Sequence, residues 1–192
     1  GITYEYDLIS AYPDGHSRLP CLLHGSWEKG VHDFDKQLYS LVRASVSGKN
    51  PYLGGMLHRS KQGRINRPDY TEGWFWQHEL EAAKRAGLVC EYVAHEGYTY
   101  KPCDCPPPLH ELREHFDLRR AVGKETPYGR AIKLNDNSCY GKCAQSIGTP
   151  KHANPIHASM ITAGCRTRIL DAIATHPKGA AAVVMIATDG IY

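Results

Sequence analysis

Apolar and polar residues alternate in some stretches of the chain and recur at helical spacing in others. Leu38, Ser40, Val42, Ala44 and Val46 occupy every second position, which predicts a half-buried strand. Ser47-Gly48-Lys49-Asn50-Pro51 breaks it. Thr3 to Ile9 reads as an earlier strand, ended by a Pro13-Asp14-Gly15 turn. Glu79, Leu80, Ala83 and Ala86 keep helical spacing within 76–86, with Gly87 at the C′ position. Leu88–Ala94 and Tyr98–Lys101 suggest a hairpin around His95-Glu96-Gly97. Pro106-Pro107-Pro108 is a stiff connector. Helices are predicted over 109–122 and 130–145, with Gly123–Gly129 as the loop between them. Ile156, Met160, Ala163, Thr167 and Leu170 predict a third long helix with Pro155 near its start. Ala181–Thr188 is a continuous apolar run and reads as a buried strand, followed at once by Asp189-Gly190.

Composition narrows the classes. The 192 residues are 42% apolar and 22% charged, an ordinary globular mixture for one domain or slightly more. No run approaches the ~20 apolar residues of a membrane span, and no signal peptide is visible at the start. Seven cysteines, odd in number and irregularly spaced, favour a reduced, intracellular, cytoplasmic setting. The net charge of +3 is unevenly spread. Between His110 and Leu170 there are ten Lys and Arg against five Asp and Glu, whereas the rest of the chain has thirteen against fifteen. A basic segment beside a near-neutral body suits phosphates; a solvated helical surface gives the same count.

Asp7 and Asp189 each end a predicted strand. Set side by side in a sheet, two carboxylates repel unless a cation lies between them, and hard oxygen ligands with open positions suit Mg²⁺. Lys133, Asn137, Tyr140 and Gly141 fall at i, i+4, i+7 and i+8, on one helix face. There the lysine can neutralise phosphate oxygens. An ordinary packing face has the same spacing.

Three strings occur in order: Asp7-Leu8-Ile9-Ser10-Ala11-Tyr12-Pro13, Lys133-Leu134-Asn135-Asp136-Asn137-Ser138-Cys139-Tyr140-Gly141-Lys142 and Ala187-Thr188-Asp189-Gly190-Ile191. They resemble motifs A (D-x-x-S-L-Y-P), B (K-x-x-x-N-S-x-Y-G) and C (Y-x-D-T-D-S) of the family B DNA polymerases. Motif B matches at every fixed position. Motif A has Ala11 for Leu, and motif C keeps only its second aspartate, with Ala187 for the first and Gly190 for the serine. The 154–166 stretch resembles the helix between motifs B and C, and 73–83 a segment between A and B in viral members.

The resemblance implies an α/β fold: an antiparallel palm sheet with a helical fingers insertion. It divides the chain into a first palm part with an inserted segment (1–108), fingers helices carrying motif B (109–145) and a second palm part (146–192). The implied activity is nucleotidyl transfer from dNTPs to a primer 3′-hydroxyl on a DNA template, in a virus- or mobile-element-encoded enzyme acting in the host cell. Two Mg²⁺, or Mn²⁺ in their place, would serve it. Asp7, the Leu8 carbonyl and Asp189 would be the metal ligands, and Asp7, Asp189 and Lys133 the catalytic set. Leu8, Ser10, Ala11, Tyr12, Arg119, Arg120, Lys124, Lys133, Asn137 and Tyr140 would hold the nucleotide. Tyr12 would exclude a 2′-hydroxyl by its bulk. Tyr140, Gly141 and Lys142 would meet DNA. One of Arg119 and Arg120 would contact the triphosphate; spacing leaves both open.

Exonuclease and thumb regions are expected outside this chain, which alone would be a feeble catalyst. Only 56 positions separate Lys133 from Asp189, which argues against the insertion that protein-primed members carry there. Ala187 keeps a second reading in view: a non-catalytic nucleic-acid-binding module derived from a polymerase. Two apparent metal motifs are set aside. His110 and His115 are five apart and do not share a helix face, unlike H-E-x-x-H. Cys103-Asp104-Cys105 lacks the two-residue gap of zinc knuckles, so a structural zinc site there with Cys90 or His110, and with it a zinc-binding interaction domain, ranks a distant third.

Overall fold

The computed structural model describes residues 2–35, 39–48, 50–60, 62–187 and 189–192. The fold is mixed α/β with antiparallel sheets, as the sequence reading expects. The chain forms two compact units, residues 1–8, 25–101 and 166–192 in the first and 9–24 and 102–165 in the second.

The first unit is built around a four-stranded sheet. Its strands β2 (Ser26–Lys29), β3 (Tyr39–Ser47), β6 (Tyr70–Trp76) and β7 (Glu91–Lys101) run in the order β2-β7-β3-β6. The alternation in β3 does what it predicts: Ser40, Val42, Ala44 and Val46 are buried while Arg43 and Ser47 are exposed. Leu38 lies outside the described residues. Strands β2 and β6 carry no clean alternation and were not foreseen. β4 (His58–Arg59) and β5 (Ile65–Asn66) form a small separate hairpin.

The hairpin expected around His95-Glu96-Gly97 is instead one unbroken strand. On β3, Arg43 faces Glu96 and Ala44 faces Ala94, so His95 is the extra residue of a β-bulge. The bulge absorbs the irregularity, and Ser45 Oγ lies 2.7 Å from His95 Nε2. Gly97 is there for the approach of β2: its carbonyl accepts the Gly30 N–H at 2.9 Å, and a Cβ on it would meet the Gly30 oxygen at 2.6 Å.

Helix α2 (Gln77–Arg85) buries Glu79, Leu80, Ala82 and Ala83. It ends where expected, with Gly87 at φ 73°. A third sheet joins β1 (Tyr6–Asp7), β9 (Gly190–Ile191) and β8 (Ile186–Ala187) in the order β1-β9-β8. These strands are shorter than the apolar runs suggest. β1 spans two residues rather than the expected seven because its partner β9 offers only two. The 181–188 run also departs from a buried strand. Residues 179–182 form a 3₁₀ turn, Val184 and Met185 are exposed, and only Ile186–Ala187 pair regularly. Small alanines after Gly179 (φ 51°) accept the turn, and no strand pairs with β8 on its outer side among the described residues. Thr188 is outside those residues.

The second unit is helical: α1 (Ala11–Ser17), α3 (Leu112–Val122), α4 (Pro127–Cys143) and the first half of α5 (Pro155–Thr175). Helix α1 replaces the turn expected at Pro13-Asp14-Gly15. Pro13 falls in the first helical turn, where a missing N–H costs no bond, and Asp14 there complements the helix dipole. Gly15 leaves room for Ile161, whose Cγ2 would sit 3.3 Å from an added Cβ.

Helix α4 starts three residues before the expected Arg130. Pro127 occupies its first turn, and the Thr126 hydroxyl accepts the Gly129 N–H at 3.0 Å as the N-cap. α3 begins at Leu112 rather than 109, after a turn in which the Pro107 carbonyl accepts the His110 N–H. α5 follows the predicted periodicity, burying Met160, Ile161, Ala163, Ile169, Leu170 and Ile173. No helix among the described residues is long and apolar enough to cross a membrane.

Candidate active site

Asp7 lies on β1 and Asp189 immediately before β9, in the β1-β9-β8 sheet of the first unit. Asp7 stands opposite Gly190, and the Leu8 N–H donates to the Asp189 carbonyl at 3.0 Å. The register therefore brings Asp7 beside the residue that precedes β9, although the two are 182 positions apart in sequence. Asp7 is exposed and Asp189 half-buried. Tyr192 reports their common field. Its hydroxyl donates to Glu5 Oε1 at 2.8 Å, and that bond and the Glu5 charge raise its pKa, with Asp7 and Asp189 adding to the rise. Carboxylate oxygens at this sheet end are the donor set a hard divalent cation takes. Ala187 faces Gly190 in the β8–β9 pair and offers only a methyl group there. Gly190 is itself confined: a Cβ there would come within 3.3 Å of the Tyr192 ring.

The remaining candidate residues belong to the second unit. Ser10 takes the left-handed conformation (φ 52°) that a serine seldom adopts. It starts α1, and its carbonyl accepts the Asp14 N–H at 2.9 Å. Ala11 is buried. Tyr12, next along α1, stacks on Tyr140 of α4, with ring centroids 4.6 Å apart and planes inclined by 18°. His16 closes the group. Its ring lies edge-on to Tyr140 at 6.4 Å, and its Nδ1 is 3.1 Å from the Tyr12 carbonyl. Burial lowers the His16 pKa, so the Nδ1–H of a neutral imidazole donates to that carbonyl.

Along α4, Lys133, Asn137 and Gly141 are exposed and Tyr140 is half-buried, while Gly129, Ile132 and Asp136 are buried. The motif face is therefore the solvent-facing flank of the helix, beside its packing stripe. Asp136, unremarked in the sequence, fixes that stripe through a 2.8 Å contact between its Oδ1 and His115 Nδ1 of α3. His115 thus serves helix packing. His110 lies before α3 with its Nδ1 2.9 Å from the Pro107 carbonyl, so the two histidines form no zinc-protease pair. Arg119 and Arg120 end α3. Arg120 lies over the Phe116 ring, 5.8 Å from its centroid, while Arg119 keeps a buried Nε without a hydrogen-bond partner among the described residues. Lys124 and Lys142 are exposed.

Sequence reasoning missed a buried ion pair in the first unit. The Arg166 Nε and Nη2 donate to the two carboxylate oxygens of Glu79, the Nη2 bond measuring 2.9 Å. Glu79 is almost fully buried on α2. Its only signal in the sequence is a carboxylate on the apolar stripe of an amphipathic helix.

Solved structures of phi29 DNA polymerase share this fold. The orthorhombic crystal form superposes with a TM-score of 0.67 at 19% identity over 97% of this chain. The ternary complex with primer-template DNA and incoming nucleotides gives 0.65 at 19%, and the binary complex with primer-template DNA 0.60 at 18%, each over 97%. This chain has the fold of a DNA polymerase segment. It spans 37–38% of those polymerase chains. No protein-family model and no curated protein matches the sequence.

Proposed function

We propose that this chain is the palm-and-fingers part of a family B DNA polymerase, virus- or mobile-element-encoded, that transfers nucleotides from dNTPs to a primer 3′-hydroxyl on a DNA template. The observation that carries the reading is the β1–β9 register, which sets Asp7 opposite Gly190 and ties Leu8 to Asp189. The fold shared with phi29 DNA polymerase supports it independently.

Asp7 and Asp189, with the Leu8 carbonyl, are the groups to hold Mg²⁺. When bound, the magnesium pair neutralises phosphate charge and eases loss of the 3′-hydroxyl proton. The chain's own side chains do the rest by position and charge. Lys133 offers a solvent-facing ammonium to the triphosphate. Of the two arginines on α3 we assign the triphosphate contact to Arg119, whose Nε has no partner among the described residues, over Arg120, which is engaged with Phe116. The Tyr12–Tyr140 stack presents two rigid rings: Tyr12 is the group that would exclude a 2′-hydroxyl, and Tyr140 the one that would lie against the nascent base pair. Gly141 offers open space, since a Cβ there would touch nothing within 4 Å among the described residues. Ser10 and Ala11 fix the backbone leading into Tyr12.

A second reading rests on Ala187: with a methyl group where motif C has its first aspartate, the chain would bind nucleic acid without catalysing synthesis. Calorimetric titration of a dNTP into the 192-residue chain, with and without Mg²⁺, separates the two. Catalysis predicts Mg²⁺-dependent dNTP binding that Asp189→Asn abolishes. Absence of dNTP binding in both proteins contradicts it and favours the module.

A further inference from the structure

Cys21, His24, Cys103 and Cys105, none of them assigned to nucleotide or magnesium, converge in the second unit. One ligand atom from each, three Sγ and one imidazole nitrogen, all lie within 4.8 Å of one another. His24 Nδ1 is 3.6 Å from Cys21 Sγ and 3.2 Å from Cys105 Sγ. We propose that these four residues form a structural zinc site of the Cys₃His type.

The geometry fits the ion. With Zn–S near ~2.3 Å and Zn–N near ~2.0 Å, a tetrahedron has an S-to-N edge of roughly 3.5 Å, and the two observed S–N contacts, 3.6 and 3.2 Å, fall on either side of it. Softness fits as well: three thiolates and an imidazole select zinc over magnesium or calcium. Four protein ligands leave no open position, which makes the site structural rather than catalytic. The thiols crowd one another without a cation. With their three Sγ atoms all within 4.8 Å of one another, the thiols cannot all ionise without repulsion. Zinc removes that conflict by taking the ligands as thiolates and releasing their protons. All four side chains are exposed or half-buried, so the metal has a path in, and none of these three cysteines is in a disulfide.

The spacing hides the site in the sequence. Cys103 and Cys105 are one residue apart, and their partners are neither Cys90 nor His110 but residues some eighty positions earlier. Chain topology gives the metal its purpose. The chain leaves the second unit after His24 and re-enters it at Pro102, so the ligands are the last residues before departure and the first after return. Zinc closes that long excursion into a loop. It also joins the segment following α1, which carries Tyr12, to the segment leading into α3, which carries Arg119. A cross-link between segments this distant in sequence restricts the unfolded chain strongly.

The test measures metal directly and stands apart from polymerase activity. The 192-residue chain, purified under reducing conditions from zinc-supplemented medium and desalted, is assayed by plasma mass spectrometry. One zinc per chain is expected, falling to near zero in the Cys103→Ser/Cys105→Ser double variant and unchanged in Cys90→Ser. Because the double variant could misfold, the unaltered chain is also stripped of metal and titrated with Co²⁺. Intense ligand-field bands and a sulfur-to-cobalt charge-transfer band are expected, as tetrahedral thiolate cobalt gives. His24→Ala, which alters an exposed side chain, is expected to shift those bands and weaken metal binding about 100-fold. Zinc well below one per chain, octahedral cobalt spectra, or a disulfide among the three cysteines that persists under these reducing conditions would overturn the proposal.

Discussion

Replacing Glu79 with alanine is expected to destabilise the first unit far more than removing any surface charge. Glu79 is 4% exposed and accepts two bonds from Arg166, whose side chain is 31% exposed. Deleting the carboxylate takes the bidentate acceptor from a mostly desolvated guanidinium. Breaking buried pairs in this way costs about 3–5 kcal/mol. Arg166 can partly rehydrate, so we expect about 3 kcal/mol, the lower end of that range. For a chain of this length that lowers Tm by roughly 6–12 °C, or the urea midpoint by about 1.5 M for an m-value near 2 kcal/mol/M. Arg43–Glu72 is the internal control. It is closely paired at 2.6 Å, but its side chains are 51% and 42% exposed, and Glu72→Ala should cost less than about 1 kcal/mol. The double variant Glu79→Leu/Arg166→Leu should recover much of the loss, since it removes both members of the pair together. Urea unfolding followed by far-UV circular dichroism supplies all four numbers. A Glu79→Ala loss below about 1 kcal/mol, or one no larger than that of Glu72→Ala, refutes the reasoning.

Lys133→Ala should weaken Mg²⁺-dependent dNTP binding about 10–100-fold, the worth of one charge-assisted bond, while leaving stability within about 0.5 kcal/mol because the side chain is exposed; unaltered affinity in calorimetry would remove the lysine from the site. A double-mutant cycle with Tyr12→Leu and Tyr140→Leu should return a coupling of about 1 kcal/mol for the stacked rings, and additive losses would show that the stack contributes nothing. In dNTP-against-rNTP competition, Tyr12→Ala should narrow the preference for the deoxy sugar, and an unchanged ratio rejects the steric role. His16, His78 and His157 all have pKa values lowered mainly by burial, so the unfolded chain binds more protons than the folded one near neutrality. Stability is then complete above the unfolded histidine value of about 6.5 and falls as pH drops below it. Urea midpoints at pH 7.5 and 5 measure this, and a stable protein at pH 5 with an unchanged midpoint contradicts it.

Legibility in the sequence followed how local each cause was. Strand β3 could be read because β6 and β7 pair with both its edges and one of its faces is buried, which imposes period two on its residues. Helix α5 could be read because its apolar stripe is long. Strand β2 could not, since all four of its residues are exposed and its place depends on β7. The His95 bulge looks like a turn because Gly97 is a turn residue, yet that glycine serves a backbone approach from Gly30. Pro13 looks like a helix breaker until its position in the first turn of α1 is known. At the site, the motif strings were legible one at a time. Partnerships across distance were not: Tyr12 with Tyr140, Glu79 with Arg166, and Cys21 and His24 with Cys103 and Cys105 depend on three-dimensional proximity that no local spacing encodes.

The claim on which the functional reading rests is that Asp7 and Asp189 hold one divalent cation between them. Diffraction at the manganese edge from crystals of the chain grown with Mn²⁺ and a dNTP measures this directly. The expected result is an anomalous peak about 2.1 Å from carboxylate oxygens of both residues, close to the nucleotide phosphates. Manganese held by only one of the two, or found away from the β1–β9 pair, would contradict it.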